Sequence, residues 1–145
     1  MPGEGGSGMK RIVCAALGLL TALALLTGCQ GKALPEGMSE DALLEAGKDV
    51  MLLVVQGEYE DVLSAFRSDV RDTLTTEDIQ ALALSQLDGA GVYKQIEKSM
   101  TTGQSSDGER YGVAVLYCEF SEKDVLFRLA FDPDMALIGM DIQQP

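Results

Sequence analysis

The feature that most limits what this chain can fold into is a change of hydrophobic period near Gly91. Before it, apolar residues recur every three or four positions, the repeat of a helix with one buried face. After it, apolar and polar residues alternate and turn signals recur every 10 to 15 residues, the pattern of consecutive strands. Helices first and strands afterwards implies an α+β layout in which the strands pair antiparallel and the helices share one sheet face.

The helical half divides at its caps. Ser39 is a good N-cap, and Glu40 and Asp41 follow where the helix dipole favours negative charge. Leu43, Ala46, Gly47, Val50 and Val54, with Leu44, Met51 and Val55 beside them, form a wide apolar stripe that Gly57 ends. A second helix is expected from about Glu58, carrying Tyr59, Val62, Leu63 and Phe66. Thr75-Thr76-Glu77-Asp78 opens a third, with Ile79, Leu82, Ala83 and Leu87 inward and Asp88-Gly89 as its stop.

The strand half reads as a four-stranded curved meander over 92–103, 111–120, 125–131 and 136–142. Tips at Glu122-Lys123 and Pro133-Asp134 would set Phe120 against Val125, Cys118 against Phe127 and Leu116 against Leu129. They would also set Phe131 against Ala136, Leu129 against Ile138, Phe127 against Met140 and Val125 against Ile142. All of these share one face, as period two requires. A three-residue loop Ser106-Asp107-Gly108 would add Ile96 and Met100 to that face. The opposite face then carries Val113, Val115, Leu126, Ala130 and Leu137, with Tyr117, Glu119, Arg128 and Asp141 among them. That is more apolar than a solvent face should be, a mark of partner surfaces. The same register puts Tyr117 opposite Arg128.

Ahead of the helices lies an export signal. Lys10 and Arg11 precede residues 12–26, an uncharged stretch of 15 residues, long enough for a signal peptide and short of the roughly 20 needed to span a bilayer. Leu26-Thr27-Gly28-Cys29 resembles the lipobox of bacterial lipoproteins. The resemblance implies cleavage between Gly28 and Cys29, a diacylglycerol on the Cys29 sulfur as the only attached group, and a membrane anchor facing outside the cytoplasm. The stretch MPGEGGSG before Met9 has no place in such a signal, so Met9 is a candidate start. Residues 1–28 are thus a signal peptide, 29–38 a lipidated terminus and flexible tether, and 39–145 one domain.

Of the 11 basic and 23 acidic residues, Lys10, Arg11 and Glu4 fall in the discarded part, leaving 9 and 22 and a net charge of −13. Such a balance repels phosphate backbones and argues against nucleic acid as a partner. The chain has no histidine, which removes the commonest general base and metal ligand. Cys14 and Cys29 lie in the signal region, so Cys118 is the domain's one thiol. The register turns it inward, where it packs as a small hydrophobe. Asp132-Pro133-Asp134 reads as a turn, since a hard cation wants six or more oxygens from a spaced set. No catalytic constellation and no metal site emerge.

The layout resembles the cystatin-like and nuclear-transport-factor-like folds. Residues 47–143 further resemble an uncharacterised bacterial family found as lipoproteins and ahead of α/β-hydrolase domains. The likeness rests on Phe66, Leu74-Thr75-Thr76-Glu77, Gly91-Val92-Tyr93, Val115-Leu116-Tyr117-Cys118-Glu119-Phe120, the run from Val125 to Phe131, and Ile138-Gly139-Met140-Asp141-Ile142. These are mostly packing and turn residues, so the resemblance implies a fold and no activity. The expectation is a membrane-anchored, non-catalytic binding or assembly module. Its partner face, used by a second copy or another envelope protein, would comprise Val113, Val115, Tyr117, Arg128 and Leu137. The alternatives are an apolar-ligand carrier using the helix–sheet gap, and an enzyme of the cone-shaped α+β type.

Overall fold

A computed structural model describes residues 33–145. The expected signal peptide, lipobox and Gly28–Cys29 cleavage point lie outside the described residues. Four helices, α1 (Glu40–Gln56), α2 (Tyr59–Ala65), α3 (Ser68–Arg71) and α4 (Thr76–Gln86), precede four strands. The strands are β1 (Tyr93–Ser106), β2 (Glu109–Phe120), β3 (Asp124–Phe131) and β4 (Leu137–Gln143), paired antiparallel in the order β1-β2-β3-β4. The fold is α+β, as the change of period implies.

The helix boundaries follow local chemistry. The Ser39 hydroxyl accepts from the Ala42 amide at 3.0 Å, and Gly57 takes a left-handed φ of 77° at the other end of α1. At α4, Thr75 accepts from the Asp78 amide at 3.1 Å while the Asp78 carboxylate accepts from the Thr75 amide at 3.0 Å, a reciprocal capping box. The one-turn α3 was not anticipated, being too short to show a period.

α1 lies across β1, β2 and β3, α2 packs on α1 and α4, and α4 reaches β4. Leu43, Met51, Val54, Val62, Ile79 and Ala83 of the helices meet Ala114, Leu116, Cys118, Phe127, Leu129, Met140 and Ile142 of the sheet in one buried cluster. Each large side chain so buried contributes about 1.5–3 kcal/mol. The packing extends back to residues 33–38, ahead of the domain boundary expected at Ser39: Leu34 and Met38 rest on the core.

Strand pairing departs from expectation at each turn. In β2–β3, Cys118 pairs with Val125 and Leu116 with Phe127. The turn is centred one residue earlier than expected, which moves the pairing by two and leaves every face unchanged. The first hairpin closes on two residues, Asp107 and Gly108, with φ of 53° and 82°. Both values suit the primed turns that match strand twist. The shorter loop flips the parity, so Met100 pairs with Val115 on the outer face and is 41% exposed. Irregularities near Ile96 then restore it opposite Cys118, inward as expected.

β4 carries the largest correction. Leu137 was expected outward, yet it is fully buried in the main core and pairs with Phe131. Gly139 pairs with the adjacent Ala130, so one extra residue, Ile138, is accommodated as a bulge and turns outward. The inward position is fixed further by a parallel bridge to Phe66, with the Arg67 amide donating to the Leu137 carbonyl at 2.8 Å.

Candidate partner-binding face

On the sheet face away from the helices, Tyr111, Val113, Val115 and Ala130 form a second buried cluster. Half-buried Tyr117, Leu126 and Ile138 pack around it. Every member is a strand residue; among the described residues no helix or loop side chain joins it. β2 and β3 supply most of it because their outward positions are apolar as well as their inward ones. Met100, which pairs with Val115 on this face, is exposed, while Tyr117, Leu126 and Ile138 are only partly so. The Tyr111 hydroxyl is buried there with no hydrogen-bond partner among the described residues, and desolvation raises its pKa. An unmade bond of that kind costs about 1–3 kcal/mol.

The polar residues of this face are arranged differently from the expected pairing of Tyr117 with Arg128. Tyr117 pairs with Leu126, not with Arg128, because the β2–β3 turn is displaced. Arg128 sits instead between Val115 and Asp141, buried, with its guanidinium donating to the Asp141 carboxylate. Gln143 Nε2 donates to the same carboxylate at 2.8 Å. Tyr117 receives Lys98, whose Nζ stands 4.8 Å from the ring centroid. Glu119 accepts from Gln95 Nε2 at 2.9 Å. Of the residues expected here, Val113, Val115, Tyr117 and Arg128 share the face, and Leu137 does not. Met100 and Ile138 take its place, for the turn and bulge reasons above.

A second polar centre joins elements far apart in sequence. Arg67, in the link between α2 and α3, contacts Asp69 through Nε at 2.8 Å, Asp132 through Nη1 at 3.2 Å, and Glu109. The Asp69 hydrogen bond raises the arginine's pKa first, Glu109 next, and burial opposes both. In return Arg67 holds Asp69 below the usual carboxylate range. Asp132 is nearly enclosed and also accepts from the Asp134 and Ala136 amides at 3.0 and 2.9 Å, the turn anticipated for Asp132-Pro133-Asp134. No sequence signal linked Arg67 with Glu109 and Asp132, since a lone arginine has no period.

Cys118 is 1% exposed, between Leu116 and Phe120 on the inner face. Burial pushes its thiol up to about 12. The buried carboxylates Asp132 and Asp141 are each engaged by an arginine. Among the described residues no group of acidic or cysteine side chains is arranged to hold a metal ion, and no helix is long and apolar enough to cross a membrane.

A family model described as protein of unknown function (DUF3887) matches residues 47–140. The NMR structure of a protein from Ruminococcus gnavus ATCC 29149 is similar in fold, with a TM-score of 0.67 and 28% sequence identity. The similarity covers 77% of this chain and 96% of that one. No curated protein matches the chain.

Proposed function

This chain belongs to the DUF3887 family, and we propose that it is a membrane-anchored extracytoplasmic lipoprotein whose domain is a non-catalytic binding or assembly module. The anchor is the lipid on Cys29 that the Leu26-Thr27-Gly28-Cys29 motif implies. The partner is a protein, engaged through the outer sheet face. The observation that carries this reading is the second apolar cluster, built from strand residues alone and bordered by exposed Met100 and half-buried Tyr117, Leu126 and Ile138. Aromatic and methionine side chains, here Tyr117 and Met100, are enriched at the centres of protein interfaces. The unsatisfied Tyr111 hydroxyl adds to this. A catalytic reading is less well supported, because the inner face offers hydrocarbons and a thiol with a raised pKa.

The test takes the lipoprotein purified in detergent and follows its oligomeric state by light scattering over a concentration series, with Leu126→Glu and Met100→Glu alongside. A photo-crosslinker at position 126 in cells complements it, with one at Leu84 as control; Leu84 is 58% exposed on α4, away from the sheet. A complex lost in both variants, with folding unchanged by circular dichroism, supports the outer face. A monomer at every concentration, with the same crosslinks from position 84 as from 126, overturns it. Lipid attachment is read independently, from labelled palmitate that Cys29→Ser should abolish.

A further inference from the structure

The sheet meets the chain ahead of α1 at an unusual place. Gly103 of β1 and Gly112 of β2 are directly paired near the closed end of their hairpin, on the helix-bearing side. A Cβ on Gly103 would lie 1.9 Å from the Ala33 carbonyl oxygen and 3.1 Å from Leu34 Cα. A Cβ on Gly112 would lie 3.3 Å from Leu34, 3.0 Å from Met38 and 2.9 Å from Leu43. Two facing glycines thus open a groove that residues 33–38 fill. Arg110 Nη2 donates to the Ala33 carbonyl at 3.2 Å, Pro35 is buried, and the Met38 amide closes a turn on the Pro35 carbonyl at 3.1 Å. Side-chain packing, a hydrogen bond and close backbone approach together dock this segment as a strap.

The position of the strap fixes how much chain separates the domain from the lipid. Cys29 precedes Ala33 by four residues, which can span at most about 14 Å. Were the tether free as far as Ser39, its reach would be about 35 Å. β1 continues from Gly103 to Tyr93, about 33 Å at the usual rise. The two ends of the sheet therefore stand at very different distances from the attachment point. The β1–β2 turn at Asp107-Gly108 lies beside the strap, and the β2–β3 turn at Glu122 lies at the far end.

From this geometry we infer that the Gly103–Gly112 strap makes the lipid anchor a short leash, holding the domain with its β1–β2 hairpin toward the bilayer and its β2–β3 turn away. The inference rests on the lipidation of Cys29 proposed above. It gives the partner face a defined height over the membrane, with Met100 nearer the bilayer than Tyr117 or Leu126. The two glycines are positioning residues in this account, since any side chain at Gly103 would displace the strap.

The experiment uses the processed, full-length lipoprotein in phosphatidylcholine vesicles containing nitroxide-headgroup lipid. A fluorophore is placed at Asp107→Cys or at Glu122→Cys, both exposed positions, with Cys118 left buried. Expected is quenching at least twofold stronger at 107 than at 122. Insertion of twelve Gly and Ser residues between Lys32 and Ala33, which leaves the domain untouched, should bring both signals down and remove the difference. Gly103→Val, which expels the strap, should reduce the difference without an insertion. Equal quenching at the two positions in vesicle-bound protein would overturn the leash while leaving lipidation standing. Failure to carry palmitate or float with vesicles would overturn lipidation and, with it, this inference.

Discussion

Gly47 of α1 and Ala114 of β2 meet at a close approach of helix and sheet: a Cβ on Gly47 would lie 2.8 Å from the Ala114 Cβ. The glycine interrupts the apolar stripe of α1 because there is no room for even a methyl group. Replacing it has two opposed effects. Gly47→Ala should gain up to about 1 kcal/mol of helix propensity, while forcing α1 off the sheet should cost about 1–3 kcal/mol. The contact is with the Cβ of buried Ala114, which is fixed to its strand and is not a flexible tip, so the cost wins. Urea unfolding should show Gly47→Ala less stable than wild type, and Gly47→Ala with Ala114→Gly should recover most of the loss. A Gly47→Ala protein more stable than wild type would disprove the contact.

The β4 bulge makes neighbouring residues unequal. Leu137→Ala empties a site in the main core and should cost about 2–5 kcal/mol. Ile138→Ala removes a half-buried side chain from the outer face and should cost clearly less, under about 1.5 kcal/mol. Denaturant midpoints of the two single variants decide the matter. The opposite order would return Leu137 to the outer face where its alternation first placed it.

Cys118 should be silent to alkylation in the folded protein. With its thiol pushed up to about 12 and its sulfur enclosed, iodoacetamide at pH 8 should label it only on unfolding. The same shift has a stability consequence. The unfolded thiol ionises near 9.0 and the folded one near 12, so the unfolded state releases its proton first as pH rises. Stability is therefore fully present below pH 9 and falls between 9 and 12. Tyr93 and Tyr111, both raised by desolvation, act in the same direction above pH 10.0. Cys118→Ala should make the decline between pH 9 and 10 shallower.

Arg67 should matter more at neutral pH than in acid. It binds Asp69, Glu109 and the nearly enclosed Asp132, so Arg67→Met leaves that last carboxylate without its charged partner. The cost should be about 1–3 kcal/mol at pH 7, mostly through Asp132, since exposed pairs such as Arg67–Asp69 add little. Asp69 has a folded pKa below its ordinary 3.8. Its contribution is present above 3.8 and lost as pH falls through the lowered value. The gap between wild type and Arg67→Met should accordingly narrow between pH 7 and pH 3, measured by urea unfolding at each pH.

The first hairpin depends on its turn. Asp107 and Gly108 both hold positive φ, so Gly108→Val should destabilise by about 1 kcal/mol or more. Asp107→Asn should be tolerated, because asparagine accepts that conformation. Thermal midpoints of the two variants compare them directly.

Much of this architecture could be read from the residues because its signals are local. Ser39 and Gly57 bracket α1 through bonds made within one turn, and the Thr75–Asp78 capping box does the same for α4. Alternation likewise separated Leu116, Cys118 and Phe127 from Val113, Val115 and Leu126, and two-residue errors in pairing left those faces intact. What alternation could not supply was parity across an irregularity. A two-residue turn in place of a three-residue one sent Met100 outward, and a single bulged residue exchanged Leu137 with Ile138. Both depend on backbone conformations selected by contacts distant in sequence, such as the bridge from Phe66 to Leu137.

The sequence by itself therefore determined the order of the main elements, the α+β class, and which residues of the central strands β2 and β3 share a face, since capping, period and turn chemistry act over a few residues. Tertiary structure decided which polar side chains meet. Arg128 could have stacked on Tyr117 and instead pairs with Asp141, because a turn shifted by one residue moves its neighbours by two. Arg67 gathers Glu109 and Asp132, and Gly103 admits Ala33, only once the chain has closed. Contacts of that kind are set by the three-dimensional path of the backbone, and a one-dimensional pattern carries no trace of them.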